Sequence, residues 1–240
     1  MSQSDDGPRP EAVGAVVVAA GRSLRLGQDK LFVELAGRPV LAWSLAAFEA
    51  CREVSAVALV LNEANEAAGR GLVLAGGFAK VRAACLGGAR RQDSVLAGLL
   101  ALGRCDWVAV HDGARPLVTP ELIARGLKAA KETGAAIPGV PLKDTVKVVT
   151  GDASVAETPD RARLRAIQTP QVFRYDLLLD AYSRATSEVT DDAALLEAFG
   201  HPVVVYPGEY DNLKITTADD LVVAEALLRL RGSGRSAGEG

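Results

Sequence analysis

The chain has 240 residues with 27 lysines and arginines against 30 aspartates and glutamates, a formal net charge of −3 that excludes a global positive field for coating nucleic acid. Its apolar fraction of 49%, with 24 glycines and few aromatics, suits one large α/β domain with close backbone packing. Three cysteines without paired spacing and two scattered histidines argue against a disulfide scaffold and a zinc centre, and no apolar run is long enough to span a membrane.

The polar, proline-broken stretch at 1–12 is unlike a secretory signal and reads as a flexible tail. The run GAVVVA at 14–19 is apolar throughout, as in a parallel strand covered on both faces. A helix follows over 39–50, opened by Pro39. Strands are predicted at 54–61 and 80–86, then a helix from 90 to 102 and a buried strand, WVAVHD, at 107–112. Thr119 and Pro120 give the next helix an N-cap and a first-turn proline, and 134–140 returns to strand character. This rhythm predicts a mostly parallel sheet flanked by helices.

At DTVKVVTGDASVAET, 144–158, the pattern changes to a weakly alternating β-hairpin turning at Gly151 and Asp152. It is too polar to bury itself, so it packs on a second subunit or lies as a flap on its own. Helices are then predicted over 173–185 and 191–200, the second closed by Gly200. A strand follows at 202–208. The last helix, 216–231, has Thr217 and Asp220 placed as a capping box, and 232–240 reads as a flexible tail.

Four loops carry candidate chemistry. In AAGRSLRLGQDK, 19–30, the small residues Ala19, Ala20 and Gly21 let backbone approach a ligand, and Arg22, Arg25 and Lys30 can surround phosphates. The loop is neither a Walker A nor a GxGxxG sequence, and a solvated basic loop is the plain alternative. GGARRQDS, 87–94, is a glycine-rich turn at a helix start, where Gly88 leaves room for a base and Ser94 can bond a base or phosphate. In VHDGARP, Asp112 ends a buried strand beside these cations, which suggests a magnesium ligand, or else a turn cap paired with Arg115. His111 reads as a core group. In YDNLK, Asp211 offers a second carboxylate and Lys214 a phosphate contact. A metal-bound nucleoside triphosphate accounts for all four.

With AAGRSLRLGQDK, GGARRQDSVLAGL, VHDGARPLV, PLKDTVK, AIQTPQVF, EVTDDA and DNLKIT in this order, the chain resembles the 2-C-methyl-D-erythritol 4-phosphate cytidylyltransferase family across nearly its whole length. The resemblance implies a Rossmann-like α/β fold over 13–231, with a protruding β-hairpin arm at about 141–163. It implies cytidylyl transfer from CTP to 2-C-methyl-D-erythritol 4-phosphate with release of pyrophosphate, and Mg2+ or another divalent cation as cofactor; a cytidylyltransferase for another polyol phosphate such as ribitol 5-phosphate, and a non-catalytic nucleotide-binding regulator, are the alternatives. Arg25, Lys30 and Lys214 would stabilise triphosphate charge. Ala19, Ala20, Gly21, Gly88 and Ser94 would line the nucleotide, and Asp112 would sit with the metal. Thr145, Arg161, Thr169 and Asp211 would belong to the acceptor side. The first two would be lent across a homodimer by the arm. A cytoplasmic enzyme without nucleic-acid or membrane partners is expected. The chain departs from the family at Asp29, where proline is usual, at Ala89, and in a loop with only four residues between Arg25 and Lys30. Asp29 is expected to weaken the attraction of Lys30 for phosphate.

Overall fold

The fold comes from a computed structural model that describes residues 11–21, 29–185 and 189–236, with the backbone alone for 233–236. Along the chain run β1 (Val13–Val18), the short pair β2 (Glu34–Leu35) and β3 (Arg38–Pro39), α1 (Val40–Ala50) and β4 (Val54–Leu61). Next come α2 (Glu66–Gly76), β5 (Val81–Leu86), α3 (Arg91–Leu102), β6 (Trp107–Asp112), α4 (Pro120–Thr133) and β7 (Ala135–Pro141). The arm carries β8 (Val148–Val149) and β9 (Val155–Glu157). The chain returns through β10 (Arg165–Ile167), β11 (Gln171–Arg174), α5 (Tyr175–Arg184), α6 (Asp192–Ala198), β12 (Val204–Pro207) and α7 (Ala218–Ser236).

The main sheet has the order β7-β11-β6-β1-β4-β5, with β10 and β12 also paired to β7. Strands β6, β1, β4 and β5 are mutually parallel, whereas β11 is antiparallel to both its neighbours. Alternation along β1 divides the core into two layers. Val13, Ala15 and Val17 join α1 and α4 through Leu45, Phe48 and Leu122. Val16 faces the other way, onto Val95 and Leu99 of α3 and Leu178 of α5. Gly98 permits that second layer: a Cβ there would lie 2.4 Å from Val16 and 2.7 Å from Val60. The fold is therefore the expected mostly parallel α/β sheet between helices.

The local differences have physical causes. Helix α2 has no counterpart in the expectations, because Gly69, Gly71 and Gly76 interrupt its helical pattern, although Leu72 and Val73 pack against the core. The helix expected from 173 starts at Tyr175, and Phe173, fully buried, belongs to strand β11. The arm pairs only β8 with β9, as a sheet of its own whose register is irregular between Val148 and Val149. The expected N-terminal tail is already fastened at Ala12, whose N–H donates to Asp106 Oδ2 at 2.7 Å. The C-terminal tail expected from 232 begins inside α7, which continues to Ser236. Extending an existing helix costs far less than nucleating one, even through Gly232 and Gly234. No helix among the described residues is long and apolar enough to cross a membrane. Cys51, Cys85 and Cys105 are free.

Candidate active site

From β1 the chain moves to β4 and β5 on one side and then crosses to β6 on the other. The C-terminal ends of β1 and β6 thus flank a topological switch point, where open α/β sheets bind ligands. A cavity of about 1020 Å³ opens there. Its lining brings together Ala19, Ala20, Gly21, Lys30, Gly88, Ser94, Asp112 and Lys214 from four separate loops. Arg25 and Arg22 lie outside the described residues.

Asp112 is the electrostatic centre. Its carboxylate accepts from Lys214 Nζ at 2.7 Å and lies 3.5 Å from Arg91 Nε. Burial alone would raise its pKa, but the charges of Lys214 and Arg91 outweigh it and hold the group ionised well below the usual carboxylate range. Arg91 itself is anchored from behind: its Nη1 and Nη2 donate to the two oxygens of the buried Asp192 at 2.9 and 2.8 Å. Tyr182 OH also donates to Asp192. The alternative pairing of Asp112 with Arg115 is a backbone turn, with Arg115 N–H donating to Asp112 O at 3.0 Å; the Arg115 guanidinium donates to Asn212 O at 2.8 Å and acts on Asp112 through its charge.

The Asp112 N–H donates to Thr169 Oγ1 at 3.1 Å. Thr169 then passes its own proton toward His111 Nδ1 at 3.0 Å, which leaves Nε2 to donate to Arg115 O at 3.3 Å. This network assigns the tautomer. Burial lowers the His111 pKa to about 3, so the ring is neutral, and it packs against Phe48 in the core. Thr169 therefore lies behind the cavity, its hydroxyl engaged by the residue it positions, and lines no part of the opening.

At the start of α3, Arg90 N–H donates to Asp93 Oδ2 at 3.1 Å, and the Ser94 hydroxyl accepts from Gly88 N at 3.2 Å and donates to Arg90 O at 3.1 Å. Ser94 thus shapes the turn as well as facing the cavity. Gly88 is required by that turn, because a Cβ would lie 2.3 Å from the Cβ of Asp93.

A second opening of about 890 Å³ lies at the base of the arm, lined by Lys143, Thr145, Asp160, Arg161 and Arg165. It shares no lining residue with the first. Arg161 is held by donation to Lys143 O at 2.5 Å. Asp211 reaches neither opening; it is bound by Arg231 Nη2 at 2.5 Å. Among the described residues, no cluster of three or more His, Cys, Asp or Glu side chains could hold a metal ion. Of the three carboxylates in the lining, Asp29, Glu63 and Asp112, Asp112 ends a strand beside Lys214, and one such carboxylate suits magnesium, which keeps its waters and takes one or two carboxylates alongside substrate phosphates. Sequence reasoning passed over Asn62, Asn65 and Asp192. The first two look like turn residues, and only the fold brings Asp192 to Arg91.

A model of the family "2-C-methyl-D-erythritol 4-phosphate cytidylyltransferase" matches residues 13–230. A protein of that name from Dehalococcoides mccartyi strain 195 is 50% identical over 220 residues, covering 91% of this chain and 97% of its own. Another, from Alkaliphilus oremlandii, is 42% identical over 92% of this chain and 96% of its own. Among solved structures, the 4-diphosphocytidyl-2C-methyl-D-erythritol synthase of Anaerococcus prevotii superposes with a TM-score of 0.82 at 32% identity, covering 92% of this chain and all of that one. The Thermus thermophilus 2-C-methyl-D-erythritol 4-phosphate cytidylyltransferase superposes with a TM-score of 0.74 at 38% identity, over 89% and 98% of the two chains.

Proposed function

The chain belongs to the 2-C-methyl-D-erythritol 4-phosphate cytidylyltransferase family, and from that premise we infer how its own residues carry out the reaction. The enzyme transfers a cytidylyl group from CTP to 2-C-methyl-D-erythritol 4-phosphate, giving the 4-diphosphocytidyl product and pyrophosphate. The observation that carries the mechanism is the meeting of Lys30, Asp112 and Lys214 in one cavity beside two small-residue turns.

The acceptor phosphate has a second pKa of about 6, so near neutral pH it is already a dianion and needs no base. Its oxygen attacks the α-phosphorus as the bond to the β-phosphate oxygen breaks. Repulsion between anions is the obstacle, so positioned cations dominate the rate. Lys30 and Lys214 fill that role, joined by Arg25, whose part follows from the family resemblance. The backbone at 19–21 and the turn at Gly88 and Ser94 hold the nucleotide. Asp112 is the residue that would hold magnesium, or another divalent ion of the same oxygen preference, which when bound neutralises triphosphate charge. Lys214, which pairs with Asp112 at 2.7 Å, is the cation within reach of phosphates bound there.

Thr145 and Arg161 bind the acceptor phosphate from the arm of the other protomer in a homodimer. Support comes from the basic opening at the arm and from the exposed Val148, Val149 and Val155 beside it. The arm is then an excursion at about 141–163 from a single domain. Thr169, expected on the acceptor side, instead acts indirectly by accepting the Asp112 N–H and so positioning that carboxylate. Asp211 is given no ligand, since Arg231 occupies it. The three free thiols accord with a cytoplasmic setting.

The test is pyrophosphate release with a panel of nucleotides and acceptors, including ribitol 5-phosphate, followed by turnover of CTP chiral at the α-phosphorus. Selective turnover of CTP with 2-C-methyl-D-erythritol 4-phosphate and inverted configuration are expected. Preference for ribitol 5-phosphate would overturn the acceptor, and retained configuration would overturn single-step attack.

A further inference from the structure

Asn65 sits at the N-cap of α2, yet its side chain makes no capping hydrogen bond. An asparagine there ordinarily accepts from one of the helix's first N–H groups. This one is only 3% exposed, and its amide is spent elsewhere. Nδ2 donates to Asp29 Oδ2 at 2.8 Å and to Ala19 O at 3.0 Å, while Oδ1 accepts the N–H of Asn62 at 2.8 Å. Two acceptors face the nitrogen and one donor faces the oxygen, so the amide orientation is determined. Asn62 completes the tie: its Oδ1 accepts Asn65 N–H at 3.0 Å, and its Nδ2 donates to Ala20 O at 3.2 Å. On the far side, Asp29 Oδ1 accepts Leu31 N–H at 3.1 Å, so one carboxylate bridges the turn across Lys30.

These bonds join the backbone at 19–20, the loop that ends β4, and the turn bearing Lys30. We propose that Asn65, acting with Asp29, is a positioning residue that fixes Lys30 relative to the 19–21 backbone, so that ammonium and main chain meet the same triphosphate. The proposal rests on the nucleotide reading of this cavity. A lysine ammonium is a point charge on a flexible stem, so the placement of its backbone decides where that charge is delivered. The Asp29 carboxylate is thereby a structural brace of the turn.

A double-mutant cycle tests this. Asn65→Ala and Asp29→Ala are each made in the native and in the Lys30→Met background, with kcat, both KM values, CTP affinity by calorimetry and Tm measured. In the native background each is expected to lower kcat/KM for CTP about tenfold, with the KM for the acceptor nearly unchanged. In the Lys30→Met background the further loss should be under about threefold, the signature of residues acting through one group. Equal losses in both backgrounds, or none in either, would overturn the proposal. Should Asn65→Ala fail to fold, Asp29→Ala at the cavity rim completes the cycle alone. If the unmutated enzyme bound CTP but released no pyrophosphate with any acceptor, the reaction assignment would fall. The same cycle in CTP affinity would still decide the role of Asn65.

Discussion

At Asp112 two cations share one carboxylate, and they are held in different ways. Lys214 approaches from a half-exposed position, whereas Arg91 is clamped to Asp192, whose side chain is fully buried. Losing the two therefore has different effects. Arg91→Ala should strand the Asp192 charge and destabilise the fold by about 3 kcal/mol, read as a lowered urea midpoint. An unchanged midpoint would show that the Tyr182 hydroxyl alone satisfies Asp192. The cations and small residues of this site were legible because charge and glycine beside an apolar run are unusual in sequence. Asn62 and Asn65 were not, since asparagine is an ordinary turn residue and their partners lie on a distant loop. The partners of Asp29, Leu31 N–H and Asn65 Nδ2, were equally hidden in the sequence.

Among the elements, caps were the most readable signals. Thr119 accepts Leu122 N–H at 3.1 Å, and Gly200 closes α6 with φ of 78°. Asp220 caps α7 by accepting Thr216 N–H at 2.7 Å and Thr217 N–H at 2.8 Å, and so fastens the segment carrying Lys214 to a helix. Burial alone would raise the Asp220 pKa, but the bonds from Thr216 and Thr217 prevail and lower it. The unfolded carboxyl titrates near 3.9, so this contribution is complete above about that pH and is lost as pH falls through the lower folded value. Asp220→Asn should cost about 1 kcal/mol at neutral pH and lose part of that deficit in acid, measured by thermal melts at both. A deficit that stays constant with pH would contradict a charged cap. Strand β11 escaped notice because its short apolar run continues into the helix signal of α5. The alternation of strand and helix that reveals parallel units says nothing of an antiparallel insertion.

At the scale of the whole molecule, the mostly parallel sheet was legible in the strand–helix rhythm, while the strand order was not, and the valines of the arm stay exposed on one chain. Mixing Lys30→Ala with Arg161→Ala protomers should restore part of the activity that each lacks alone, because one hybrid site would have both its cations intact. Verified heterodimers without any recovery would show that each chain works by itself. The separation of the two openings has a kinetic corollary. If nucleotide is gripped by one polypeptide and acceptor by another, dilution disarms the enzyme without unfolding it. Turnover per mole would fade as protomers part, with the rate following the square of total protein, while each isolated chain continued to bind CTP.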